Sequence, residues 1–120
     1  VEVQGAKSFE DAAKASRGIS SSNLVKSMVH GKDPNWGRIM MALGKTGAEM
    51  IEDKIDIFIN DIHIVHQGKA IPYFNEAVLG AMKTDKVVFT ISLNIGDFKA
   101  TAWGCDLTEE YVIFNSAYTT

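Results

Sequence analysis

The spacing of apolar residues changes once along this chain, and that change constrains its fold class more than any other feature. Up to Gly47 they recur at intervals of three and four: Phe9, Ala12, Ala13 and Ile19, then Leu24, Val25, Met28 and Val29, then the run Ile39-Met40-Met41-Ala42-Leu43. Such spacing gathers them on one side of a helix. Beyond Gly47, Ile55, Ile57 and Ile59 alternate with Asp56, Phe58 and Asn60. This is the two-residue period of a strand with one β-branched face. Asn60-Asp61 reads as a turn into a second strand, Ile62-His63-Ile64-Val65-His66, closed by Gln67-Gly68-Lys69, so the two runs form a hairpin. A short helix follows over Asn75 to Met82, then a strand over Lys86 to Ile95, a turn at Gly96-Asp97 and a strand over Phe98 to Trp103. Helices first, then antiparallel strand pairs with a helix between them, predict an α+β fold: one mostly antiparallel sheet with helices packed on one face.

Local signals set the boundaries. Ser8 is the expected N-cap of the first helix, with Glu10 and Asp11 in its first turn. The polar Ser20-Ser21-Ser22-Asn23 breaks the first helix from the second, which ends near His30-Gly31. Asp33 is the expected cap of the third helix, with Pro34 at its first position and Gly44 past its last turn. Carboxylates at Glu109 and Glu110 predict a last helix begun at Asp106 or Thr108. The opening Val1-Glu2-Val3-Gln4-Gly5 alternates like a strand already under way, and we expect the chain to be a piece of something longer.

Composition excludes several function classes. At 120 residues, with 46% hydrophobic and 22% charged residues, the chain makes one globular domain (1–120) and is not disordered. A net charge of -3 with scattered lysines (Lys26, Lys32, Lys45, Lys54, Lys69, Lys83, Lys86) offers no footprint for nucleic acid. No stretch reaches the length of a membrane-spanning helix. The single Cys105 cannot pair within the chain, which fits a reducing cytoplasm.

Taken alone, the chemically suggestive residues read as structural. Gly44-Lys45-Thr46 lacks the glycine that a phosphate loop needs at position 39, which is Ile, and a helix precedes it where a strand should. His63 and His66 are three apart, and in a regular strand that offset sends the rings to opposite faces, so they share no metal ion unless the strand bends. Cys105 with His30 would be a nucleophilic pair only if a cation lowered the thiol pKa; a structural thiol is the expectation. Trp36 and Trp103 are read as packing residues, and Asn115 and Thr120 as polar residues past a helix. On these grounds the domain has no visible chemistry. An amino-acid-binding regulatory module and a purely structural interaction domain both fit.

One run has no such generic reason. Asp33-Pro34-Asn35-Trp36-Gly37-Arg38 resembles a signature of the ornithine acetyltransferase family (glutamate N-acetyltransferase, arginine biosynthesis bifunctional protein), in the C-terminal part of its β chain. The opening Val-Glu-Val-Gln-Gly-Ala, the segment Ser22-Asn23-Leu24-Val25-Lys26 and the ending Tyr111-Val112-Ile113-Phe114-Asn115 with Tyr118-Thr119-Thr120 follow in the family's order. The resemblance implies an enzyme that cuts itself before a threonine. That threonine then carries acetyl from N-acetylornithine to glutamate as an acyl-enzyme in arginine biosynthesis. It implies no cofactor and no metal. The nucleophilic threonine would lie upstream of this chain, so no catalytic residue is expected within it. Asn115 and Thr120 match the family's substrate-binding asparagine and terminal hydroxyl, although Ser116-Ala117 departs from the alanine-aspartate pair of many members. The implied partners are the α chain and the upstream part of the β chain, in a cytoplasmic α2β2 assembly without nucleic acid or membrane.

Overall fold

The computed structural model describes residues 1–104. The expected last helix and the tail with Asn115 and Thr120 lie outside them. The elements are β1 (Glu2–Ala6), α1 (Phe9–Ser20), α2 (Asn23–His30), α3 (Trp36–Gly44), a 3-10 turn (Glu52–Lys54), β2 (Asp56–Ile59), β3 (Ile62–His66), β4 (Lys69–Ala70), α4 (Asn75–Met82), β5 (Phe89–Ser92) and β6 (Phe98–Thr101).

The six strands among the described residues join one sheet in the order β4-β3-β2-β5-β1-β6. Every pairing is antiparallel except β1 with β5, where Val3 lies opposite Ile91. The α+β architecture expected from the change of period is therefore present. One face of the sheet carries Val3, Ile57, Ile59, Phe89 and Ile91, all buried. Against it the helices bury Ala12, Ala15 and Ile19 of α1, Val25 and Met28 of α2, Ile39 and Leu43 of α3, and Val78 and Met82 of α4. Burying such a side chain is worth about 1.5–3 kcal/mol, which makes this shared layer the main source of stability.

Two helix starts follow the sequence closely. The Ser8 hydroxyl accepts the Asp11 N–H at 3.1 Å and the Ser22 hydroxyl accepts the Val25 N–H at 3.4 Å, each relieving a donor that the helix cannot satisfy itself. The third helix differs. It begins at Trp36, with Asn35 in the capping position and no side-chain cap bond. Asp33 is not its cap: the Asp33 N–H donates to the Met28 carbonyl at 2.9 Å, which closes the end of α2. Gly44 is the last residue of α3, one position inside the expected boundary.

Both hairpin turns use left-handed backbone. Asn60 and Asp61 have φ of 46° and 70°, and Ile59 pairs with Ile62 across them. This is the two-residue turn whose twist matches its strands. Gln67 and Gly68, at φ 50° and 77°, repeat the device and lead into β4, with His66 opposite Lys69. The sequence reading closed β3 at this point and missed β4, which is only two residues long.

β3 also carries a bulge. Ile57 pairs with Val65 but Phe58 pairs with His63, so Ile64 is an extra residue. Ile64 and Val65 are both buried although adjacent, which a regular strand forbids.

Candidate functional site

A cleft of 650 Å³ opens where α2, the loop between α4 and β5, the start of β1 and the end of β6 meet. Val25, Val29, Val87 and Phe89 supply its apolar lining, and Lys26, Lys32, Lys83 and Lys86 stand around it with Glu2 and Asp85. Lysines that read as scattered along the chain are thus brought to one place by topology. No spacing rule could find them, because they come from α2 and the turn after it, and from the end of α4 and the loop after it, separated by the first hairpin. The cleft also includes Trp103 and Gly104, the last described residues before Cys105. Asn115 and Thr120, the expected substrate contacts, are outside the described residues.

The signature run braces this region. Arg38 Nη1 donates to the Leu24 carbonyl at 3.3 Å, tying α3 to the first turn of α2. Trp36 packs half-buried against the core, as a tryptophan with an apolar body does. Trp103, by contrast, is 79% exposed, contrary to the packing role expected of it.

A second constellation lies on the sheet face away from the helices. Asp56 leads β2, and the bulge turns His63 and His66 of β3 toward it. The His66 Nδ1 lies 2.9 Å and the His63 Nε2 3.7 Å from Asp56 Oδ1. The expectation that an offset of three separates the rings fails here, because the extra residue Ile64 restores both to one face. Adjacent β-branched Ile64 and Val65 inside an alternating strand were the signal for it. Asp56 is also fixed by the backbone: the Gln67 N–H donates to Oδ1 at 2.9 Å and Asn94 Nδ2 to Oδ2 at 3.2 Å. Burial pulls the Asp56 pKa up, but the hydrogen bonds from Gln67, His66 and Asn94 outweigh it and hold the carboxyl below its ordinary value. His63 stacks on Phe58 with ring centroids 4.3 Å apart. Its Nε2 is buried with no hydrogen-bond partner among the described residues.

The profile of the ArgJ family matches residues 1–120. The chain belongs to the ArgJ family. It is 42% identical over 120 residues to the arginine biosynthesis bifunctional protein ArgJ of Symbiobacterium thermophilum, covering 100% of this chain and 30% of that protein. It is 44% identical over 119 residues to the ArgJ of Brucella melitensis, covering 98% of this chain and 29% of that protein. The crystal structure of arginine biosynthesis bifunctional protein ArgJ from Bacillus halodurans superposes with a TM-score of 0.92 at 37% identity, over 98% of this chain and 55% of that chain. The chain therefore spans about 30% of the length of the curated ArgJ proteins it matches. The signature at positions 33–38 and the mostly antiparallel sheet both agree with membership of ArgJ.

Proposed function

We propose that this chain is the C-terminal domain of the β chain of an ArgJ acetyltransferase, which moves the acetyl group of N-acetylornithine to glutamate through a threonine acyl-enzyme. The threonine and the donors that stabilise the tetrahedral intermediate belong to the upstream portion. This chain supplies Asn115 and Thr120 to the amino-acid substrate: an amide that both donates and accepts, and a hydroxyl, suit a carboxylate and an ammonium. The enzyme works in the cytoplasm as an α2β2 assembly.

The observation that carries this reading is the family match over residues 1–120, with relatives named for arginine biosynthesis. Two features of the surface support it. The cleft that reaches Gly104 is rimmed by lysines, and ammonium groups suit the carboxylates of such substrates. Exposed Leu24 and Met41 line a second opening between α1, α2 and α3 beside Lys14, Arg17 and Lys45, an apolar pair with a basic surround suited to packing against the upstream portion. Combining this chain with that portion and assaying acetyl transfer is the direct test. Transfer restored only in the mixture supports the proposal. Glutamate binding by this chain alone, with no transfer in the mixture, would establish the regulatory-module alternative instead.

A further inference from the structure

We propose that Asp56, His63 and His66 bind a divalent transition-metal ion of the zinc class on the sheet face away from the helices. Their donor atoms all lie within 4.8 Å of one another. Neighbouring ligands on a tetrahedral zinc ion stand roughly 3.3 Å apart, given bonds of about 2.0–2.2 Å. The separations of 2.9 and 3.7 Å from Asp56 Oδ1 bracket that spacing. The remaining approach between the imidazoles falls to His66, which is 50% exposed at the end of its strand and has room to turn.

Three observations favour a cation over a simple Asp–His hydrogen bond. Such a bond accounts for His66 and leaves His63 Nε2 buried and unpartnered, a costly arrangement without a compensating ligand. The bulge puts both rings on the face of Asp56, which regular pairing would not. The carboxylate is already oriented by Gln67 and Asn94, as the outer partners of a metal ligand orient it. Two imidazoles and one carboxylate select zinc, nickel, copper or cobalt over magnesium and calcium, which prefer all-oxygen sites. The fourth position is left to water. Since β2 supplies one ligand and β3 two, the ion clamps that hairpin pair.

Titration of the purified chain with zinc chloride tests the site, read by calorimetry and by thermal melting. One ion per chain and a raised Tm are expected, with no response to magnesium. Cobalt should give the visible absorption of a tetrahedral nitrogen and oxygen set. His66→Gln, an exposed substitution that spares the core, should weaken zinc by about tenfold or more. His63→Phe, which preserves the stack on Phe58, should do the same. Asn94→Gly keeps the left-handed backbone at that position (φ 57°) and should cost about tenfold. His30→Gln and Cys105→Ser should leave affinity unchanged. Absence of binding, or affinity indifferent to His66→Gln, or an equal response to magnesium, would overturn the proposal.

Discussion

Asp33 stands three residues before the helix it was expected to cap, and its exposed side chain makes no capping bond. The local pattern of aspartate, then proline, then an apolar run was correct in kind but displaced in register. Pro34 and Asn35 instead form a tight connection, with the Trp36 N–H donating to the Pro34 carbonyl at 3.0 Å. Ser8→Ala should therefore destabilise the domain by about 1 kcal/mol, while Asp33→Ala changes it by less than about 0.5 kcal/mol. Paired denaturant melts of the two variants check this difference. Asn60 carries more than a turn. Its Oδ1 accepts the Val88 N–H at 2.6 Å and its Nδ2 donates to the Ala81 carbonyl at 3.5 Å, joining the hairpin to α4 and to the approach of β5. Asn60→Ala should cost about 1–3 kcal/mol by leaving the Val88 donor unpaired, whereas Asn60→Asp, which keeps the acceptor, should retain most of the stability. Equal losses in the two variants would refute the role assigned to Oδ1.

At the level of elements, what could be read in advance was what is local. The cap at Ser8, the polar break at Ser20 to Asn23, the turn at Asn60-Asp61 and the helix over Asn75 to Met82 each rest on neighbours within a few residues. The bulge, the parallel pairing and the lysine cleft do not. A bulge is a mismatch between two strands, and one strand's composition only hints at it. The strand expected over Lys86 to Ile95 is regular only from Phe89 to Ser92, because left-handed Asn94 (φ 57°) breaks the extended run, although the Leu93 and Ile95 N–H groups still donate to the Gln4 and Gly5 carbonyls at 2.9 Å. β4 escaped because two residues carry no period. Yet its turn is tightly held: the Gly68 N–H donates to the Ile55 carbonyl at 2.8 Å, and a Cβ on Gly68 would sit 2.5 Å from the Glu52 carbonyl oxygen. Gly68→Ala combines that clash with a left-handed backbone, and should cost at least about 1 kcal/mol. A Tm equal to that of the unsubstituted chain would show that the turn yields freely.

For the whole molecule, the family was legible because a short run and an ending fell in a known order, whereas the reaction proposed for it rests on residues expected outside this chain. If the proposed function holds, removing Tyr118-Thr119-Thr120 from the complete protein should raise KM and lower kcat for acetyl transfer while the proposed self-cleavage proceeds normally. Steady-state kinetics with both substrates, beside a gel assay of processing, separates these effects; unchanged constants would remove the tail from the substrate site. The one parallel ladder has a different consequence, in the order of events during synthesis. Val3 leaves the ribosome long before Ile91, its partner at the middle of the sheet. Until β5 emerges, β1 with α1 on one side and the β2–β3 hairpin on the other are halves without a seam. Contacts between residues so distant in the chain are slow to form. Nascent chains stalled before Phe89 should accordingly be open to proteases and to chaperones, and those released beyond Ser92 should close.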